Sequence, residues 1–290
     1  MKTLTNGLLT LSVKKMGAEL CSLKKGDKEY LWQALPEFWN RHSPVLFPIV
    51  GSVWEGTFRI DGKEYKMGQH GFARDLEFEL VEEAADFLHF RLSSNEESKK
   101  IYPYDFTLDI SYRLYGNKVD VKWDVKNTGS EKMYFQIGAH PAFYFPDRDP
   151  STKNRGIFEF DQQGPVEYIL PTEKGCCDTE HTYIMDTKDA RLQLDTSTFD
   201  IDTFVIENWQ VKKVALLHND GSPYLNMTFN APVVGLWSPP KVDAPFVCIE
   251  PWYGRCDRVG FTGEFKDRDH VSSLNPEETF STFYTIEIEE

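Results

Sequence analysis

The sequence predicts an all-β fold, and three observations support that prediction. Apolar and polar side chains alternate along 106–115 and again along 119–125, which is the period-two pattern of half-buried strands. The 3.6-residue period of an amphipathic helix is nearly absent, with only two brief helical candidates at 30–35 and 36–41. Short strands punctuated by 19 glycines and 16 prolines are typical of a β-sandwich or barrel.

The predicted strands are spread along the whole chain. Gly116 and Asn117 separate the two longest strands and predict an antiparallel hairpin with its turn at these residues. The other strands are predicted, in order, at 8–13, 76–81, 87–92, 158–160, 213–217, 224–229 and 280–288. No Gly/Ser-rich or Pro-rich linker divides the chain, so we expect residues 1–290 to form a single domain.

Composition limits the partners and the compartment. With 46 acidic and 32 basic residues, the formal net charge of −14 disfavours nucleic acid and anionic lipid. The first residues lack the apolar region of a signal peptide and no later segment is apolar enough to span a bilayer, so we expect a cytoplasmic protein that binds no membrane. The five cysteines are odd in number and lack paired C-x-x-C spacing, which predicts reduced thiols rather than disulfides or a zinc site.

Glu250 is the first candidate for chemistry. It lies in the apolar and aromatic run Val-Cys-Ile-Glu-Pro-Trp-Tyr-Gly at 247–254. Lost hydration raises the pKa of a carboxyl group and makes it a better proton acceptor near neutral pH. A strand-end ion pair or a protonated structural acid would have the same local sequence. Cys248, two residues earlier, is expected on the same strand face as a small packing residue.

Two histidines are candidate partners for Glu250. His70 lies in Gly-Gln-His-Gly-Phe-Ala-Arg at 68–74, and His140 lies in Gly-Ala-His-Pro-Ala-Phe at 138–143. Small neighbours let a ligand approach the backbone and the ring closely. Gln69 is a candidate hydroxyl ligand or a polar turn residue. Arg74 is a candidate ligand or the partner of Asp75 in a structural ion pair.

Tryptophans close to these motifs suggest a sugar cleft. Trp54, Trp237 and Trp252 could pack against the C–H face of a pyranose while polar groups bind its hydroxyls. Packing within an ordinary β-sandwich core is the alternative for each of them.

The three motifs together resemble the aldose 1-epimerase (galactose mutarotase) superfamily, and most closely its LacX-type branch. The resemblance covers nearly the full chain, and the order and spacing of the motifs agree with it, since His140 follows His70 by 70 residues and Glu250 follows His140 by 110. It implies a many-stranded β-supersandwich that binds a hexose in an open cleft. It also implies that the reaction uses neither a cofactor nor a catalytic metal.

The resemblance also implies roles for individual residues. Glu250 matches the general base, His140 the general acid, and His70 a substrate-binding histidine. Trp252 is expected beside the sugar. The best match for a sugar-binding aspartate is Asp202.

The aspartate assignment leaves two alternatives open. Asp195 and Asp200 lie close to Asp202, and strand register cannot be fixed from one sequence.

These roles are sufficient for the interconversion of sugar anomers. Glu250, as a carboxylate, would take the proton of the C1 hydroxyl, and His140, as an imidazolium, would protonate the ring oxygen O5. The C1–O5 bond then opens to an aldehyde, which rotates and closes on the other face.

One departure from the family pattern leaves the substrate open. Many relatives carry an arginine in the loop before the first histidine motif, where this chain has Ser52 after Gly51. A hexose-6-phosphate 1-epimerase is therefore one alternative, although phosphate recognition normally uses two or more arginines or lysines. A sugar-binding protein without turnover is a second alternative, and a glycosidase using Glu250 and Asp202 is a third. The sequence leaves the oligomeric state open, with a homodimer as one alternative.

Overall fold

A computed structural model describes residues 1–289, and β-strands account for most of its regular structure. The strands are β1 Lys2–Thr5, β2 Leu9–Val13, β3 Leu20–Lys25, β4 Lys28–Glu29, β5 Val45–Leu46, β6 Thr57–Ile60, β7 Lys63–Lys66, β8 Glu79–Ala84, β9 Phe87–Ser93, β10 Phe106–Tyr115, β11 Lys118–Asn127, β12 Met133–Phe135, β13 Ile137–Ala139, β14 Ala142–Tyr144, β15 Asn154–Phe160, β16 Glu167–Pro171, β17 Cys177–Ile184, β18 Arg191–Asp195, β19 Phe204–Ile206, β20 Lys213–Leu217, β21 Pro223–Phe229, β22 Val233–Trp237, β23 Phe246–Tyr253, β24 Ser272–Leu274 and β25 Thr279–Ile288. The α-helix α1 spans Glu96–Ile101, and short 3₁₀ turns lie at Trp54–Gly56, Ala73–Asp75, Glu173–Gly175 and Phe265–Asp267. This composition confirms the predicted all-β class.

The larger of the two main sheets has nine strands in the order β18-β15-β20-β21-β25-β11-β10-β9-β8. The predicted hairpin is confirmed, because β10 and β11 pair antiparallel from Phe106 opposite Asn127 to Tyr115 opposite Lys118. Alternate residues of β11 are buried, so the polar residues between them face away from the core.

The second main sheet carries the residues of interest. Its order is β17-β16-β19-β22-β23-β13-β5, and β14 pairs with β23 off this path. The two sheets pack face to face, as the contact of Trp123 on β11 with Tyr253 on β23 illustrates, with ring centroids 6.4 Å apart. The Tyr253 hydroxyl also lies 2.5 Å from that of Thr282 on β25. Because β23 is central and packed on both sides, seven of its eight residues are buried.

Some predicted elements were wrong in detail. The helical candidates at 30–41 do not form helices; Leu31 instead bridges to Phe143, and the Trp32 N–H donates to the Ala142 carbonyl at 2.9 Å. The helix α1 was not predicted, although a capping box joins the Asn95 side chain to the backbone N–H of Ser98 at its start. The strand predicted at 76–81 lies at Glu79–Ala84. It forms an exposed edge of the sheet, where few residues are buried and the apolar–polar alternation is therefore weak.

Within residues 1–289 no helix has the length and apolar character needed to cross a membrane.

Candidate active site

His140 and Glu250 form a buried pair. Glu250 lies on β23, and His140 follows β13, with its backbone N–H donating to the Pro44 carbonyl at 3.2 Å. The two strands are neighbours in the sheet, which brings His140 Nε2 to 3.3 Å from Glu250 Oε2. The Glu250 side chain is 1% exposed and that of His140 is 9% exposed. At this distance the carboxyl group and the imidazole can both act on one small molecule bound beside them.

Burial sets the protonation of the pair. It raises the pKa of Glu250 well above its ordinary value, as the apolar sequence around it predicted, and nearby Asp202 raises it further. The nearby Trp252 indole N–H favours the carboxylate and so lowers the pKa of Glu250. It makes no well-aligned hydrogen bond, however, since Trp252 Nε1 has no partner within residues 1–289. Burial and the charge of Arg74 lower the pKa of His140 to about 3. In the free protein, desolvation therefore favours a neutral His140 ring beside a protonated Glu250 carboxyl group, and the imidazolium expected during the reaction stays a prediction.

Aromatic rings enclose the pair. Trp39 stacks on the His140 ring with centroids 4.6 Å apart, and Trp237 meets the same ring edge-on at 5.4 Å. Trp252 is held flat because two glycines leave room for it: a Cβ on Gly138 or on Gly235 would lie within 2.7 Å of the indole. These contacts fix the imidazole and restrict water around it.

His70 is oriented by the backbone rather than by a carboxylate. The ring atom Nδ1 of His70 accepts a hydrogen bond from the backbone N–H of Gly51 at 3.0 Å. The backbone N–H of His70 donates to the Gly51 carbonyl at 2.8 Å. Burial, with the nearby His140, lowers the pKa of His70 well below its ordinary value. A neutral ring whose Nδ1 accepts carries its proton on Nε2, so His70 can donate a hydrogen bond to a ligand. Its ring lies 5.5 Å from that of His140, centroid to centroid.

A cavity of about 430 Å³ joins these groups. Eight of the residues proposed from the sequence line it: Gln69, His70, Arg74, His140, Asp202, Trp237, Glu250 and Trp252. Of the six buried side-chain polar atoms within residues 1–289 that lack a hydrogen-bond partner, four belong to lining residues: Arg74 Nε, His140 Nδ1, Glu250 Oε2 and Trp252 Nε1. Buried polar atoms are rarely left unpaired, so the cavity is suited to a polar ligand.

The structure distinguishes the three aspartates. Asp202 lines the cavity, in a left-handed backbone conformation with φ of 87°, and its Oδ1 accepts from the N–H of Thr203 at 2.7 Å. Asp200 accepts from the Lys241 N–H, and Asp195 caps the turn at 195–198 through Ser197. Of the three aspartates, only Asp202 lines the cavity that contains His140 and Glu250.

Trp39 and Arg41 line the cavity although the sequence did not predict them there. Trp39 and Arg41 lie in a short loop without periodicity, and only the aromatic and basic character of 38–42 could have drawn attention to it. Glu19 holds this loop from below, because its buried Oε1 accepts from the N–H groups of His42 at 2.7 Å and Ser43 at 2.9 Å.

Arg41 and Arg74 provide two cations at one end of the cavity. Arg41 Nη2 lies 2.9 Å from Asp75 Oδ1, whereas Arg74 Nε is 3.8 Å from that carboxylate and Arg74 Nη2 donates to the Gln69 carbonyl at 2.7 Å. Burial and the charge of Arg41 lower the pKa of Arg74 to about 10. The ion pair expected between Arg74 and Asp75 is therefore long, and Gln69 contributes its backbone to the site.

Ser52 and Trp54 lie outside the set of residues that line this cavity. The Ser52 carbonyl accepts from the Asp257 N–H at 2.9 Å, and Lys174 Nζ lies 4.6 Å from the centroid of the Trp54 ring.

Two groups of side chains have the composition of a metal site. His140, Cys248 and Glu250 bring ligand atoms within 4.8 Å of one another, as do Glu19, Cys21 and His42. In the second group Glu19 is already bound by an ion pair with Lys14.

Comparison with known proteins identifies the family. The sequence model described as aldose 1-epimerase matches residues 1–282. Protein LacX, chromosomal, of Lactococcus lactis subsp. lactis is 32% identical over 296 residues, covering 98% of each chain. The galactose mutarotase related enzyme of Lactobacillus acidophilus superposes with a TM-score of 0.93 at 31% identity, covering 100% of this chain and 97% of that one. A galactose mutarotase-like protein of Lactobacillus casei ATCC 334 also gives a TM-score of 0.93, at 26% identity and 100% coverage of both chains. From the match along nearly its whole length, this chain belongs to the aldose 1-epimerase family.

Proposed function

We propose that this protein interconverts the α and β anomers of a hexose by opening and closing the pyranose ring. The observation that carries the proposal is the buried His140–Glu250 pair, 3.3 Å apart, on residues that line a cavity of about 430 Å³ and carry unpartnered polar atoms. Anomer exchange needs one group that takes the C1 hydroxyl proton and one that protonates O5, and this pair provides both.

Sugar binding supplies the shift in protonation that the reaction needs. In the free protein Glu250 is protonated and the His140 ring is neutral, because burial raises the pKa of Glu250 and lowers that of His140. A C1 hydroxyl that donates to Glu250 stabilises its carboxylate, and an O5 that accepts from His140 stabilises the imidazolium. The proton therefore moves to His140 as the sugar binds. Glu250 then takes the hydroxyl proton, His140 gives its proton to O5, and ring closure reverses both transfers.

The other cavity groups position the sugar. His70 donates through Nε2, and the Asp202 carboxylate accepts from hydroxyls. The faces of Trp39 and Trp237 offer apolar surface for the C–H groups of the pyranose. Both rings already contact His140, so they place the sugar ring beside the acid–base pair.

Arg41 and Arg74 favour a second candidate, a hexose bearing a phosphate. Two guanidinium groups at one cavity end, one with an unpartnered Nε, are the donors that a phosphate prefers. These two arginines supply charged donors in place of the arginine that is absent at Ser52. Their local positive charge opposes the repulsion of an anion by the overall net charge of −14.

Polarimetry on freshly dissolved α-glucose and α-galactose tests the first candidate. We expect the wild-type protein to accelerate the decay of optical rotation, and the His140→Asn variant to lose about 10²–10⁴-fold in kcat. A protein that binds the sugars without accelerating the decay would be a sugar-binding module. Release of nitrophenol from nitrophenyl hexosides would instead indicate a glycosidase.

The second candidate is tested with glucose 6-phosphate and the Arg41→Gln/Arg74→Gln double variant. If phosphate is recognised, the double variant loses kcat/KM for the phosphate ester far more than for the free hexose. Arg113→Gln, which removes a cation of an exposed pair with Asp86, is the matched control. Equal losses for both substrates would exclude phosphate recognition by these arginines.

A further inference from the structure

Two cysteines meet next to the cavity. Cys177 begins β17 and Cys256 follows β23, and their Sγ atoms lie 3.1 Å apart. The backbone fixes this approach, because the Cys177 N–H donates to the Asp257 carbonyl at 2.8 Å and the Val259 N–H donates to the Cys177 carbonyl at 3.0 Å. A disulfide bond is about 2.05 Å long, so the two sulfurs need to move together by only about 1 Å.

Only one of the two thiols borders the cavity. Cys256 is 5% exposed and lines it, whereas Cys177 is fully buried behind it. A small oxidant that enters the cavity therefore meets Cys256 first, and the Cys177 thiol lies behind as a resolving partner. Both sulfurs sit outside the His140–Glu250 pair, and the proposed sugar reaction has no use for them.

Electrostatics gives the two thiols different reactivities. The Cys177 thiol and the guanidinium groups of Arg255 and Arg268 lower the pKa of Cys256 in spite of its burial. The contact with Cys256, together with burial, raises the pKa of Cys177. Cys256 is thus the better thiolate nucleophile, and Cys177 keeps its proton until the second step.

The thiol pair is mechanically connected to the sugar site through Gly51. Gly51 packs directly on Cys256, since a Cβ at Gly51 would lie 2.4 Å from the Cys256 Cβ. The Gly51 N–H in turn holds His70 Nδ1 at 3.0 Å. A shift of Cys256 toward Cys177 removes part of the support beneath Gly51 and changes the orientation of the His70 ring.

From this geometry we propose that Cys177 and Cys256 form a peroxide-reactive dithiol whose oxidation to a disulfide lowers the activity of the adjacent site. The Cys256 thiolate attacks one peroxide oxygen, which breaks the O–O bond, forms a sulfenic acid and releases hydroxide. The Cys177 sulfur then attacks the Cys256 sulfur, forming the S–S bond and expelling a second hydroxide. These hydroxides take up the two thiol protons, so two thiols and one hydrogen peroxide give one disulfide and two waters.

The test uses the reduced full-length protein and hydrogen peroxide. Intact mass and peptide mapping should find the loss of two hydrogen atoms and a Cys177–Cys256 linkage, with the other three cysteines still reduced. We expect mutarotation to fall by up to about a hundredfold, because a displacement of about 1 Å near a site can cost that much. Dithiothreitol should restore it, and a bound hexose should slow the oxidation.

Two variants separate this dithiol from nonspecific oxidation. Cys177→Ser should leave Cys256 as a sulfenic acid that dimedone traps, with no loss of two hydrogens. Cys176→Ser changes the adjacent buried cysteine and should oxidise as the wild-type protein does. A linkage through Cys176, or no linkage while other thiols are oxidised, would overturn the proposal. A disulfide that left mutarotation unchanged would overturn its coupling to His70.

The proposal of a reactive dithiol and the proposed sugar reaction can be refuted independently of each other. If the reduced protein does not accelerate mutarotation, the proposed function is wrong, while peptide mapping still decides whether the disulfide forms.

Discussion

Replacing Glu250 with glutamine should remove most of the activity and at the same time stabilise the protein at alkaline pH. Glutamine keeps the size of the side chain but cannot exchange a proton with the C1 hydroxyl. The loss of a positioned acid–base group costs about 10²–10⁴-fold in rate. Polarimetry on fresh α-glucose or α-galactose measures this loss, and near-native activity in Glu250→Gln would remove Glu250 from the mechanism.

The gain in stability follows from the direction of the pKa shift. Burial raises the folded-state pKa of Glu250, so the stability contributed by its protonated form is present below the unfolded pKa of about 4.3 and is lost as pH rises through the folded value. Glutamine has no such loss. Each pKa unit corresponds to about 1.4 kcal/mol. For a chain of 290 residues, with about 2.1 cal/mol/K of unfolding entropy per residue, that is about 2 °C in Tm.

Glu207→Gln is the matched control for the stability measurement. Glu207 is partly buried, with 18% of its side chain exposed, and hydrogen bonds from His270 and Arg255 overcome its desolvation and lower its pKa. Its contribution is therefore present above the unfolded pKa and is lost as pH falls. Thermal unfolding at about pH 8 should find Glu250→Gln more stable than the wild-type protein and Glu207→Gln less stable. If Glu250→Gln unfolded below the wild type at this pH, the burial argument for Glu250 would be refuted.

Three further predictions address protonation, packing and the arginine loop. Because the pKa of His140 is lowered to about 3, kcat/KM should not fall as the pH is lowered from about 7 to about 5; an acid limb centred near 6.5, the ordinary histidine value, would contradict the shift. Gly51→Ala should destabilise the protein by about 1–3 kcal/mol in urea unfolding, because its Cβ would lie 2.4 Å from that of Cys256 and φ is 66°, and unchanged stability would show that the backbone can yield there. Glu19→Gln should cost about 1.5–3 kcal/mol at neutral pH. Burial opposes ionisation of Glu19, but His42 and Lys14 lower its pKa to about 2, so this cost should shrink as pH falls from about 4.3 toward 2, and a constant difference would exclude the ionised form as its source.

Much of the fold was predictable from local patterns. The strands 106–115 and 213–217 were predicted with their observed bounds. The first alternates along most of its length, and the second is a short apolar run whose last four residues are all buried. The strand at 76–81 was displaced because its observed counterpart is an exposed edge. The aromatic run at 30–41 predicts helical turns. In the structure it is an irregular loop whose rings pack against β14 and β23.

The residues of the site were predictable to the extent that they lie in short motifs. His70, His140 and Glu250 each lie in a recognisable run of small or apolar neighbours, and the structure brings all three to one cavity. Arg41 and Trp39 lie in no such run. Their place in the cavity depends on Glu19, which lies before β3 and accepts a hydrogen bond from the backbone N–H of His42 in their loop.

The sequence by itself determined the all-β class, the family and the residues able to exchange protons, because alternation and motif order are local properties of the chain. Tertiary structure alone decided where the proton of the His140–Glu250 pair resides, since both pKa shifts arise from burial of the two side chains in the folded protein. It also decided which aspartate faces the cavity, and that Arg41 joins Arg74 there. Tertiary structure also decided the contact between Cys177 and Cys256, because only folding brings together two sulfurs that are 79 residues apart in the sequence.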